Sequence, residues 1–229
     1  MLNIFIGYDE VESIAWHTMA HSIFTRSSKP VSIIPLSTKN LKGIYKRERD
    51  PKQSNDFSFT RFLVPFLSDY KGWAVFFDCD MLIQTDIYNL LNEVDKNPGK
   101  AVYVVKHDYT PRCEYKYLGN KQYKYPRKNW SSVILWNCNH PANRKLTPDF
   151  INTAPAMNLH RFMWLNDEDI GELDVKWNWL VGEYSSPPNE IMNIHWTIGG
   201  PYFNEYRDTD FAKEWFDEKE KMTYCKQKK

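Results

Sequence analysis

The sequence predicts a single α/β domain, and three observations carry that reading. Short apolar runs alternate with segments whose apolar positions recur at helical spacing. One run, Trp73-Ala74-Val75-Phe76-Phe77, is apolar without a break and ends in Asp78-Cys79-Asp80, as a strand buried on both faces reads when it reaches the edge of its sheet. No internal repeat or Gly/Pro/Ser-rich linker divides the chain, and 229 residues suffice for one full core.

The elements follow in order. Leu2 to Ile6 is a strand opening into the loop Gly7-Tyr8-Asp9. Glu10 to Phe24 is a helix, because Ile14, Ala15, Met19, Ile23 and Phe24 share a face. Val31 to Leu36 is a second strand, and the polar stretch from Ser37 to Asp56 is a surface loop. Phe59 to Leu67 is helical, limited or kinked by Pro65. Trp73 to Phe77 is the central strand, and Asp86 caps a helix running to Val94. Ala101 to Val105 is a strand, whereas Arg112 to Lys128, rich in Tyr and Lys, lacks apolar periodicity and reads as an excursion. Val133 to Trp136 is a strand, Leu159 to Leu165 a helix, Ile191 to His195 a last strand, and an amphipathic helix closes the chain from Asp210.

Composition narrows the function classes. With 30 basic and 29 acidic side chains, no global field draws the chain to nucleic acid. The first residues lack the basic leader and apolar core of a signal peptide, and no run is long enough to span a membrane, so a cytoplasmic location is expected. Cys79, Cys113, Cys138 and Cys225 have neither metal-site nor disulfide-framework spacing. The sequon Asn129-Trp130-Ser131 is expected to be idle. His17 and His21, four apart on the first helix, lack the adjacent Glu of a zinc-protease motif and are read as packing residues. Trp177-Asn178-Trp179 reads either as the floor of a sugar site or as buried packing. His107-Asp108 reads either as an acceptor contact or as structure.

The chemistry concentrates at Asp78 and Asp80. Side chains two apart on an extended segment point the same way, and the carboxyl end of a strand is where α/β sheets bind ligands. Two carboxylates sharing a site repel unless a cation lies between them. Mg²⁺ or Mn²⁺ held by one or two carboxylates completes its shell with phosphate oxygens and water, and it neutralises charge on a departing diphosphate. The plainer alternative is a pair of turn or capping acids.

Phe59-Thr60-Arg61-Phe62-Leu63-Val64-Pro65 followed by Phe77-Asp78-Cys79-Asp80 resembles the glycogenin and lipopolysaccharide-galactosyltransferase family (family 8). Ser131 to Asn137, Asn166-Asp167-Glu168-Asp169, and His195 with Gly199 resemble its later motifs, in the right order across residues 1 to 205. The resemblance implies a GT-A (nucleotide-diphospho-sugar transferase) fold: one Rossmann-like domain over residues 1–229 with a mixed, mostly parallel sheet. Its nucleotide-binding part would cover about 1–105, its acceptor part about 106–205 and its C-terminal helix about 206–229.

The resemblance further implies a hexose moved from a nucleotide-diphosphate sugar, with a UDP-sugar expected, to a glycan or glycolipid acceptor with retention of configuration. Such an acceptor leaves room for peripheral membrane contact and for a role in polysaccharide or lipopolysaccharide biosynthesis. Carried over, Asp78, Asp80 and His195 would ligate Mn²⁺ or Mg²⁺, and the imidazole favours Mn²⁺. Gly7, Tyr8, Asp9, Arg61, Asp78, Cys79 and Gly199 would contact the nucleotide sugar, and Arg61, Asp167 and Asp169 would serve catalysis.

The sequence departs from the pattern where the family has Lys-Pro-Trp. Here Gly200-Pro201-Tyr202 has no Lys, leaving Arg61, Arg127 and Lys128 as replacements. Asp169 as the general base of an inverting enzyme is the stereochemical alternative. A haloacid-dehalogenase-like phosphatase also places Asp-X-Asp after an apolar strand, but Met81-Leu82 follows here instead of Gly-Thr. A non-catalytic sugar-binding relative is the remaining reading.

Overall fold

The computed structural model of the protein describes residues 1–50 and 53–224. Its strands are β1 (Leu2–Gly7), β2 (Val31–Leu36), β3 (Trp73–Phe77), β4 (Met81–Ile83), β5 (Val102–Val104), β6 (Tyr115–Lys116), β7 (Asn120–Lys121), β8 (Val133–Asn137), β9 (Ile170–Glu172), β10 (Trp179–Leu180) and β11 (Asn193–His195). The α-helices are α1 (Ser13–Arg26), α2 (Val64–Leu67), α3 (Asn92–Lys96), α4 (Pro148–Thr153), α5 (Ala156–His160) and α6 (Ala212–Thr223). Six strands form the main sheet in the order β2-β1-β3-β8-β5-β9. Only β8 runs against its neighbours, β3 and β5, which makes the sheet mixed but mostly parallel. A crossover carrying α1 joins β1 to the parallel β2, as parallel pairing requires.

The continuous apolar runs lie where burial on both faces puts them. Ile4, Ile6, Val75, Phe76, Phe77, Ile134 and Leu135 are fully buried in one core shared by strands of the first and second halves of the chain. Pro65 begins the α2 turn instead of kinking a longer helix, because its missing N–H faces no carbonyl there. A 3-10 turn over Thr60–Leu63 precedes it. Asp86 does accept a hydrogen bond from the Tyr88 amide at a helix start. The helix expected over Leu159 to Leu165 is displaced toward the N-terminus: α5 ends at His160, and Phe162 at φ 53° breaks the path. The strands β4, β9 and β10 and the helix α4 escape a reading by periodicity, since each spans at most two turns or three strand residues.

The closing helix is clasped to the first. Glu218 of α6 is buried and meets His21 Nδ1 at 2.6 Å and Arg26 Nη2 at 2.7 Å, both on α1. His21 is thus engaged by a carboxylate, and no helical pair of histidines faces a metal. Cys79, Cys113 and Cys138 are free thiols. Cys225 and the expected extension of the last helix to residue 229 lie outside the described residues. No helix among the described residues is long and apolar enough to cross a membrane.

At the sheet edge, Gly171 of β9 lies opposite Tyr103 of β5. A Cβ at residue 171 would fall 2.3 Å from the buried Tyr103 ring, so the ring occupies the space a side chain would need. Gly171→Ala is therefore expected to cost about 1–3 kcal/mol through overpacking, lowering Tm by roughly 2–4 °C per kcal/mol in a chain of this size. An unchanged thermal unfolding curve would contradict this packing.

Candidate active site

Strand pairing creates the site. The chain turns at Asp78-Cys79-Asp80 and re-enters extended structure as β4, which pairs antiparallel with β11 and sets His195 opposite Met81. The Trp196 amide donates to the Asp80 carbonyl at 2.9 Å, closing the ladder beside the acids. One ligand atom each from Asp78, Asp80 and His195 lies within 4.8 Å of the others. Cys79 between them is fully buried and packed into the core, and burial pushes its thiol pKa well up.

Side-chain bonds determine which nitrogen of His195 faces the acids. Ser132 Oγ donates to the Asn129 carbonyl at 2.7 Å, and Asn178 Nδ2 donates to Ser132 Oγ at 2.8 Å. Asn178 Oδ1 therefore faces His195 Nδ1, 2.8 Å away, and accepts its proton. Nε2 is left facing Asp80 Oδ1 at 3.3 Å, an ion pair when the ring is protonated and two opposed lone pairs when it is neutral. Asp80 Oδ1 is buried and has no hydrogen-bond partner. With the ring neutral, two electron-rich atoms in this relation call for a cation between them, and ligating histidines are held by just such an outer hydrogen bond. Two carboxylates and one imidazole suit Mn²⁺. By this test the residues fit a divalent ion.

Asp78 is held on its other side by Arg61, whose Nη1 lies 2.8 Å from Asp78 Oδ1. Arg61 is itself buried, donating to the carbonyls of Ser58 and Ser131 at 3.1 and 2.7 Å and lying over the Phe76 ring. Burial lifts the Asp78 carboxyl to about 6 despite Arg61. Burial also opposes ionisation of Asp80, yet His195 and Lys116 nearby hold its pKa below the ordinary value.

These groups line a cavity of about 300 Å³ together with Lys116, Lys128, Asn129 and Thr197. The excursion Arg112 to Lys128 supplies its far wall: it folds into the β6–β7 hairpin and brings in two ammonium groups. Neither Lys116 nor Lys128 makes an ion pair among the described residues, and each lies over a tyrosine ring, Tyr117 and Tyr125 respectively. Burial lowers the Lys116 pKa against the pull of Asp80, Glu12 and Asp78, and burial with Lys116 nearby takes Lys128 to about 8. Sequence reasoning weighed Lys128 but overlooked Lys116, which no pattern distinguishes from the other lysines of the excursion. Asn129, at φ 61°, donates to Tyr109 Oη at 2.8 Å and Thr197 Oγ1 at 3.3 Å, so the sequon amide is engaged in the wall.

Several residues expected at the site are not in the wall of this cavity. A Cβ on Gly7 would lie 2.3 Å from the Phe57 ring, and one on Gly199 2.4 Å from Tyr206, so both glycines make room for protein rings. Asp9 accepts from the amides of Val11 and Asp56, each at 3.0 Å, which commits both carboxylate oxygens to the backbone. Tyr8 is half-buried with its ring edge-on to Trp16. Asp167 is exposed and paired with Arg127. Asp169 closes a capping box on Asn166, with its Oδ2 3.3 Å from the Asn166 amide. Neither of these two acids lines the cavity: Asp167 is turned to Arg127 and Asp169 to its own capping box. Trp177 and Trp179 are buried packing.

Glu12 is a site residue that sequence reasoning missed. It is 2 % exposed and receives hydrogen bonds from Tyr202 Oη at 2.5 Å and Tyr117 Oη at 3.2 Å. Burial, with Asp80 nearby, raises its pKa from 4.5 to about 8. The signal was a glutamate at the start of an apolar-spaced helix. A raised carboxyl pKa means that the folded state holds the proton more tightly, so its stabilising contribution is complete below pH 4.5 and lost as pH rises through 8. Above pH 6, where the Asp78 contribution has faded, metal-free protein should lose up to about 1.4 kcal/mol per pH unit from this group. Glu12→Gln should flatten Tm between pH 6 and 8 in chelator. Parallel curves for the two proteins would refute the assignment.

The comparisons with known proteins agree with this geometry. No protein-family model matches the chain. It is 46% identical to Protein CDI of Arabidopsis thaliana over 223 residues, which cover 95% of this chain and 85% of that protein. Among solved structures it resembles the galactosyltransferase LgtC in complex with donor and acceptor sugar analogues, with TM-score 0.57, 12% identity and 98% of each chain covered. It also resembles the glycosyltransferase GlyE of Streptococcus pneumoniae TIGR4 (TM-score 0.61, 12% identity, 99% of this chain) and the bifunctional glycosyltransferase WbbM (0.58, 14%, 95%). The chain spans 65% of GlyE and about half, 49%, of WbbM. The chain belongs to the family of Arabidopsis Protein CDI and has the GT-A glycosyltransferase fold, like that of family 8.

Proposed function

We propose that the protein is a metal-dependent hexosyltransferase that takes a hexose from a nucleotide-diphosphate sugar, a UDP-sugar by preference, and delivers it to a glycan or glycolipid with retention of configuration. The observation that carries the proposal is the convergence of one ligand atom each from Asp78, Asp80 and His195 within 4.8 Å, beside a cavity that also holds two lysines without ion-pair partners among the described residues. Asp78, Asp80 and His195 would hold Mn²⁺ or Mg²⁺, which when bound offsets negative charge on the diphosphate leaving group.

The protein's own cations do the rest of that work. Lys116 and Lys128 bind phosphate oxygens from the excursion side, taking the part of the lysine missing from Gly200-Pro201-Tyr202. Arg61 keeps Asp78 ionised and offers its remaining guanidinium N–H groups to the donor. Tyr8 flanks the nucleoside. Ammonium groups held over aromatic rings in a partly dry cavity interact with a diphosphate more strongly than exposed lysines do. Asp167 and Asp169 have no part in this reading.

Calorimetric titration with UDP tests it. The protein should bind UDP more tightly with Mn²⁺ than with chelator, and Asp80→Asn should remove the difference. Asn178→Leu, which frees the His195 ring, should weaken Mn²⁺ about 10–100-fold. Turnover of p-nitrophenyl phosphate without any binding of UDP would favour the phosphatase and sink the proposal.

A further inference from the structure

The β6–β7 hairpin has two faces with different surroundings. Strand alternation turns Lys116 toward the cavity and buries Gln122, and it turns Tyr115, Lys121 and Tyr123 out to solvent. Tyr115 lies opposite Lys121, whose ammonium stands 5.8 Å from the Tyr123 ring. Leu118 sits at the turn between the two strands and is 68% exposed. We propose that this outer face docks on an anionic lipid bilayer, with Leu118 entering the acyl boundary, the tyrosines at headgroup depth and the neighbouring basic side chains on lipid phosphates. Docking of this kind is independent of the donor reading, because the cavity lies on the hairpin's other face.

Single exposed apolar side chains are ordinary, whereas a cluster of them marks an interaction surface. Among the described residues, four of the eleven exposed large apolar side chains fall between Tyr115 and Tyr125, far more than an even spread would place there. Nothing in the fold requires leucine at the turn. Leu118 takes φ 56° and Gly119 φ 71°, left-handed positions at which Asn and Gly are the usual residues. A leucine held there strains the backbone and, being exposed, gains no packing in return. Strain kept at an exposed apolar tip points to a role outside the fold. The tip is also presented rigidly: the adjacent Tyr117 is buried, stacks on Phe203 with ring centroids 5.2 Å apart, and donates its amide to the Ile198 carbonyl at 2.7 Å. Little order is then lost on docking.

Charge gives the sign of the partner. The stretch from Arg112 to Lys128 holds six of the chain's 30 basic side chains and one of its 29 acidic ones, so the rest of the chain is net acidic. Lys116 and Lys128 serve the cavity and Arg127 pairs with Asp167, which leaves Arg112, Lys121 and Lys124 exposed along the hairpin. The one acid, Glu114, pairs with Lys121 at 3.2 Å. Basic side chains interleaved with tyrosine suit an anionic leaflet. The rings stay at headgroup level, while the aliphatic stem of lysine lies along them and carries its ammonium to the phosphates. A soluble polyanion, whether nucleic acid or acidic glycan, would engage the cations and the rings but has no use for an aliphatic tip. The leucine decides for lipid.

Vesicle flotation of the full-length protein tests the docking, in chelator and without nucleotide. The vesicles are phosphatidylcholine alone, or equal parts phosphatidylcholine and phosphatidylglycerol. The protein should float with the anionic vesicles and stay behind with the neutral ones, and added salt should weaken the binding by screening the exposed cations. Leu118→Asn suits the left-handed turn, so Tm should hold or rise. Its binding to anionic vesicles should nevertheless fall about tenfold or more, the equivalent of one leucine side chain left in water. Arg112→Glu combined with Lys124→Glu should abolish flotation at an unchanged Tm. Absence of flotation with the anionic vesicles, or flotation undiminished by Leu118→Asn, would overturn the proposal. Capture on heparin as strong as on the vesicles and indifferent to Leu118→Asn would assign the face to a soluble polyanion and overturn it equally.

Discussion

Everything at the centre of this molecule depends on one contact, the imidazole nitrogen of His195 set 3.3 Å from a carboxylate oxygen of Asp80. A proton or a cation has to lie between them, because a protein does not bury two lone pairs face to face without compensation. Here the arrangement is enforced from both sides: the antiparallel pairing of β4 with β11 brings the residues together, and the Ser132–Asn178–His195 relay determines which nitrogen turns inward. The backbone provides position, and the relay provides electronic character. A divalent cation can replace the proton in that contact and draw in Asp78 as well, which is why the metal reading is stronger than a bare Asp-X-Asp would allow.

The charges around the contact are disposed to the same end. Burial alone would neutralise these carboxyls. Arg61 counteracts that at Asp78, and His195 and Lys116 counteract it at Asp80. Glu12, with no cation in contact and bound by two phenols, is the carboxyl left to carry a proton near neutrality. The site therefore sorts three acids into two candidate ligands and one hydrogen-bonded acid of the surrounding shell by the cations that touch each.

Much of the frame was legible in the residues, for reasons that can be named. The run from Trp73 to Phe77 announces a strand buried on both faces, and the acids after it announce a sheet edge, because both signals are local. His195 could be joined to the acids only through a resemblance, since nothing local says that β11 pairs with β4. Lys116 and Asn178 were beyond reach for the same reason: their roles arise from a hairpin folding over and from a relay of side chains far apart in the chain. The capping pattern of Asp169, an acid three residues after Asn166, was visible as well. A glycine such as Gly7 or Gly199 reports that something approaches closely without saying what.

The shortness of β4 has a consequence for how this scaffold can vary. With three residues between the acids and the next turn, a single insertion or deletion there would rotate every following side chain to the opposite face of the small sheet, and His195 would meet a carbonyl ladder in place of Asp80. The β6–β7 hairpin is tied down too, at Tyr117, which is buried and bonded to Glu12, but Leu118 and Gly119 at its tip are exposed. Chain length can therefore change at those two residues, while the segment joining the acids to their imidazole must keep its count.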